Sequence, residues 1–177
     1  TVTARALGTT GAVSPAGVST VQENGSLTLN FTPDELSKIV KVVVDGVEID
    51  VCSTYTFANI TANHTIDVYS AIYTYNLAST VNDATMGSVT SDDSVDCGTD
   101  YNYLITANYG SHLEAIYLDG VLDQNFPYSE TLYTTAFTRT VTNVMADHQL
   151  DAVFAINTYT VDVTVGANGS VEPGDDV

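Results

Sequence analysis

Four carboxylates fall within nine positions, at Asp92, Asp93, Asp96 and Asp100, and Gly174-Asp175-Asp176 restores the acidity near the end of the chain. Oxygen ligands at that density suit calcium, which would stiffen the segment around it. The spacing is not that of an EF-hand, and the matching place early in the chain reads Pro15-Ala16-Gly17-Val18, so a solvated acidic loop is the default and calcium the alternative. His64 and His148 sit in matching tetrads, Ala62-Asn63-His64-Thr65 and Ala146-Asp147-His148-Gln149. Neither has further ligands at zinc spacing, which makes them turn residues rather than a metal centre. His112, in Tyr109-Gly110-Ser111-His112, lacks a nucleophile motif. No pair of acids stands in the apolar setting that glycoside hydrolysis needs, so an enzyme is not expected.

Two further groups are candidates for contact rather than catalysis. Phe126, Pro127, Tyr128 and Tyr133 make the stretch from Asp123 to Phe137 aromatic, a surface suited to a glycan or a host or matrix protein. Cys52 and Cys97 either join as one disulfide or remain two buried thiols. A bridge would close a loop of about 45 residues, worth about 4 kcal/mol in lost chain entropy.

Composition narrows the classes. The 177 residues carry 4 Lys and Arg against 22 Asp and Glu, a net charge of -18. That field repels phosphate backbones and anionic headgroups, so nucleic acid and membrane surfaces are excluded as partners. With 44% hydrophobic residues, and Thr, Val and Tyr recurring at strand spacing, the chain folds rather than remaining an acidic tail. No apolar run is long enough to span a bilayer. The acidic, Thr-rich character, the cysteine pair and five Asn-x-Ser/Thr sequons, at Asn24, Asn30, Asn59, Asn63 and Asn168, suit a secreted protein.

The elements that place these residues are repeated. Thr56-Phe57-Ala58-Asn59-Ile60-Thr61-Ala62-Asn63-His64-Thr65-Ile66-Asp67 returns as Thr140-Val141-Thr142-Asn143-Val144-Met145-Ala146-Asp147-His148-Gln149-Leu150-Asp151. Alternation on either side of a polar tetrad reads as strand, turn, strand. Val44-Asp45-Gly46 returns as Leu118-Asp119-Gly120, each a hairpin turn. Pro33-Asp34-Glu35-Leu36 is expected to form at most one short helical turn. The chain therefore divides into a module over 1–71, a second over 72–157 carrying an insertion near 123–137, and the start of a third over 158–177. Without gaps, Gly8, Gly11 and Pro15 match Gly166, Gly169 and Pro173. The fold class expected is all-β: two tandem modules, each a small β-sandwich or β-grasp-like sheet, plus a C-terminal strand.

The order Gly-x-Val-x-Pro, Val-Asp-Gly and then Tyr55-Thr56-Phe57-x-Asn59-Ile60-Thr61-Ala62-Asn63-His64-Thr65-Ile66 resembles the divergent internalin B-type repeats that occur in tandem in bacterial and archaeal surface proteins. The likeness covers nearly the whole chain. The second copy departs from it, with Arg139 for Tyr55 and Val141 for Phe57. The resemblance implies a stalk, spacer or adhesive segment and brings no catalytic residues; the partners expected are copies of itself or adjacent repeats outside the cell, with no cofactor unless the acidic loop binds calcium. The alternating segment Tyr159, Val161, Val163 and Val165 cannot bury its apolar face without the rest of a module. In a complete subunit it would add to a neighbour's sheet and build a filament; in a piece of a longer array it is simply a cut strand.

Overall fold

The computed structural model describes residues 1–8, 10–90, 93–127 and 134–170, with Asp93 described by its backbone alone. Module 1 comprises β1 (Val2–Leu7), β2 (Gly11–Ser14), β3 (Gly17–Ser19), β4 (Leu27–Pro33), β5 (Ser37–Val44), β6 (Val47–Ile49), β7 (Thr54–Phe57) and β8 (His64–Ile72). Module 2 repeats the plan with β9 (Thr74–Val81), β10 (Gly87–Val89), β11 (Asp93–Asp96), β12 (Tyr101–Ala107), β13 (Ser111–Leu118), β14 (Val121–Leu122), β15 (Ala136–Val141) and β16 (His148–Ile156). No helix occurs among the described residues. Pro33 ends β4, and the residues after it form a turn closed by the Ser37 amide on the Asp34 carbonyl, 3.1 Å, in place of the expected helical turn.

Each module is two sheets face to face. In module 1 the order β3-β1-β8-β5-β6 packs on β2-β4-β7, and in module 2 β11-β9-β16-β13-β14 packs on β10-β12-β15. The alternation seen in the sequence is what makes this work, since every second residue of a strand faces the partner sheet. Val2, Val42, Ile66 and Val68 from the larger sheet meet Val13, Leu29, Phe31 and Phe57 from the smaller. Leu77, Ile116, Leu150 and Phe154 meet Tyr103, Ile105 and Val141 in the second core. Each such side chain contributes roughly 1.5–3 kcal/mol on leaving water.

The first and last strands of each module lie side by side and parallel. Val2 to Leu7 run against His64 to Tyr69, and Leu77 to Val81 against His148 to Ala152. Because Val2 and Leu77 oppose the equivalent histidines, they are equivalent to each other. Counting forward from the end of β16 as from the end of β8 then places Tyr159, Val161, Val163 and Val165 where Tyr75, Leu77, Ser79 and Val81 stand. On that count the strand is offset by one residue from the gap-free alignment on Gly8 and Gly166. That alignment would have put Thr160 and Asp162 at the core positions of Val2 and Ala4. The segment itself, expected as a strand, joins no ladder among the described residues: Val161 is 82% exposed, Val163 60% and Val165 45%.

Gly87 shows how tightly the second core is closed, because a Cβ there would overlap the ring of Phe154. At the equivalent place in module 1, Gly11 faces the smaller Ser70. Gly87→Ala should therefore lower the stability of module 2 by about 1–3 kcal/mol. Calorimetry should show one transition moving and the module 1 transition staying, and a second change, Phe154→Leu, should recover part of the loss.

Candidate functional site

Both copies of the signature stretch build the same clasp. Asp45 and Gly46 take positive φ, 49° and 82°, as do Asp119 and Gly120 at 52° and 76°, the backbone of a two-residue hairpin turn that matches strand twist. The turn aims its carboxylate at the start of the last strand. Asp45 Oδ2 lies 2.7 Å from His64 Nδ1, and its Oδ1 accepts the Thr65 amide at 2.7 Å. Asp119 repeats this with His148 Nδ1 at 2.7 Å and the Gln149 amide at 2.9 Å. The ring of His64 also stacks on Phe57, with centroids 4.8 Å apart. The histidines open the last strands rather than lying within the turns expected for them, and they pack on the Asp-Gly hairpin turns; the sequence reading missed that partner. Its signal was present, since Val-Asp-Gly and the histidine tetrad recur together. Both carboxylate oxygens of each clasp are engaged within the fold.

The modules are joined by a single residue, Tyr73, between β8 and β9. Its amide donates to the Leu36 carbonyl of module 1 at 2.9 Å, and its carbonyl accepts the Cys97 amide of module 2 at 2.8 Å. Lys38 Nζ lies 5.2 Å from the centroid of its ring. Leu36 holds φ at 65°, a conformation costly for a leucine. Its side chain reaches across the junction, close enough that a Cβ on Gly98 would stand 3.1 Å from Leu36 Cδ1. At the far end of module 2, Asn157 donates to the Gly110 carbonyl at 2.9 Å, repeating the bond from Tyr73 to Leu36. Gly110 takes the same left-handed backbone, φ 83°, without the side chain.

The aromatic insertion is otherwise arranged than expected. Phe126 is only 3% exposed and packs edge-on against Phe137, 5.2 Å between centroids, so it belongs to the core and not to a contact surface. Tyr128 and Tyr133 lie outside the described residues. Asp123 is buried, forms an ion pair with Arg139, and accepts the Asn125 amide at 2.9 Å. Arg139, the departure from Tyr55, takes as its partner the Asp123 that the insertion brings. Tyr55 opposes Leu29 and packs edge-on against Phe57, whereas Arg139 opposes Tyr103, which packs edge-on against Tyr101. The aromatic pair has crossed from the edge strand to its neighbour.

Asp92 lies outside the described residues, Asp93 and Asp96 bound β11, and the Asp100 carboxylate accepts the Asn143 amide at 2.8 Å. Among the described residues no three His, Cys, Asp or Glu side chains are grouped so as to hold a metal ion. Cys52 and Cys97 are free thiols, not the disulfide considered from the sequence. The reason is placement: Cys52 packs against the first core, and Cys97 is buried in the second module with its Sγ 3.4 Å from Met145 Sδ. Comparison with protein-family models, with curated proteins and with solved structures finds no match.

The clasps carry a pH dependence. The hydrogen bond from His64, with the Thr65 amide, holds Asp45 below its ordinary carboxylate value. Desolvation pushes Asp119 up, but the Gln149 amide and His148 outweigh it and the net direction is also down. A carboxylate lowered by folding stabilises while it is ionised, fully so above about pH 4, and the contribution fades as pH falls through the lowered folded value. Asp45→Asn and Asp119→Asn should each flatten the acid side of the stability curve of their own module. Thermal melts at intervals below about pH 5 check this.

Proposed function

We propose that the chain is a structural repeat segment of an extracellular surface protein or filament, working by holding length and by passing the chain from one module straight into the next. The observation that carries the reading is the Tyr73 junction, one residue long and hydrogen-bonded to both modules. A flexible connection would not need a leucine held at φ 65° against the glycine of the next module. The same end is prepared on module 2, where Asn157 and Gly110 repeat the bond. The likeness of the repeated motifs to internalin B-type repeats agrees with this reading. A glycan- or protein-binding role for the aromatic insertion has less behind it, because Phe126 is spent on the core.

In this reading the segment from Tyr159 to Val165 is the first strand of a further module, with Val161 and Val163 at core positions. When no such module follows on the same chain, it adds to another copy. Two measurements test the proposal. Leu36→Gly should leave both modules folded while NMR relaxation changes from one shared tumbling time to two; shared tumbling unaltered by the change removes the role of the junction. Analytical ultracentrifugation should show concentration-dependent association of the chain that is lost on ending it at Ile156 or on Val163→Asp. A chain monomeric at every concentration removes strand addition and leaves the spacer alone.

A further inference from the structure

The parallel seam between the first and last strands has a mechanical meaning. Resting on the array reading, we propose that each module is a shear clamp that withstands tension applied along the chain. Tension enters a module at the N-terminal end of its first strand and leaves at the C-terminal end of its last. In a parallel pair these ends lie at opposite ends of the ladder, so the two strands are drawn past one another along their axes. All the hydrogen bonds between them are then loaded together. An antiparallel pair would be opened from one end, a bond at a time.

Side chains fasten both seams at the same three levels. In module 1 the Thr1 backbone nitrogen bonds Asn63 Oδ1 at 2.8 Å, Arg5 grips both oxygens of Asp67 at 2.6 and 2.8 Å, and just beyond the end of β1 Thr10 Oγ1 bonds Ser70 Oγ at 3.1 Å. In module 2 the Asn76 amide bonds Asp147 at 2.8 Å and Thr80 Oγ1 bonds Asp151 at 2.5 Å. Asn82 then exchanges two bonds with the backbone of Phe154, at 2.9 and 2.8 Å. Arg5 and Thr80 occupy the same register position opposite Asp67 and Asp151, so the fastening survives a complete change of chemistry. Tyr73 passes the load from β8 to β9 without slack, since one residue separates them.

The seam pairs also differ from the rest of each sheet in lying directly on the line of pull. The ladder between β5 and β8 is longer, but only β8 of that pair carries a loaded end; β5 is held within the module between two turns, so tension reaches it only through β8. Forced unfolding is governed by the barrier to rupture rather than by equilibrium stability, which makes this geometry separable from stability by experiment.

The test is single-molecule pulling of the whole chain from its two ends, compared with pulling module 1 from its N-terminus and a ligation tag inserted after Ala62. The second geometry draws on the same ends of β1 and β8 and peels them apart. End-to-end pulling should give two events, releasing about 250 Å and about 300 Å of chain at roughly 3.6 Å per extended residue. Both should need several-fold more force than peeling. Asp67→Ala should lower only the shorter event, and Thr80→Val only the longer. Equal force in the two geometries, or an Asp67→Ala effect as large on peeling as on end-to-end pulling, overturns the clamp. A weak seam would leave the array reading standing, because shared tumbling of the modules does not depend on rupture force.

Discussion

The parallel pairing of the first strand with the last is the constraint on which the rest of each module depends. Two parallel strands cannot be joined by a tight turn, so everything between them must form a long crossover. Here that crossover is itself β-structure: β2, β4 and β7 make the opposing sheet, while β3, β5 and β6 widen the sheet that holds the seam. The pairing also sends the two ends of a module out at opposite ends of the sheet. A single residue can then carry the chain into a second copy, and Tyr73 does so while satisfying its own amide and carbonyl on either side.

The two copies show which positions the architecture holds and which it lets vary. The Asp-Gly turns, the histidines they grip and the left-handed residue before the junction are kept in place. The core is free to exchange partners: Leu29 opposite Tyr55 becomes Tyr103 opposite Arg139, with the aromatic pair shifted by one strand. The polar arginine is tolerated because the insertion supplies Asp123 beside it. Removing the half-buried arginine would leave the buried Asp123 charge without compensation, so insertion and substitution are physically a single change.

Much of this was legible in the sequence, and the limits of that reading are physical. Period-2 alternation and the Asp-Gly turns mark the strands and hairpins because they reflect local geometry. The repeat marks the modules, although the join falls at Tyr73 and not after Ala71. Strand order is set by contacts between residues some 60 positions apart, such as Arg5 with Asp67, and no local pattern encodes it. The clasp of Asp45 on His64 is likewise long-range, although the recurrence of both motifs pointed to it. Phe126 misled because aromatic composition does not say which face of a loop is buried. The cysteines misled because sequence separation is silent on which core each thiol joins.

Hydrogen exchange followed by NMR tests the central claim most directly. If the parallel seam is the organising contact, the slowest amides should be those of β1, β8, β9 and β16, with Ala4, Val68, Leu77 and Ala152 among them. The Tyr73 amide should be protected as well, through its bond to Leu36. Seam amides that exchange as fast as those of the short edge strands β6 and β14, with Tyr73 unprotected, would contradict the account.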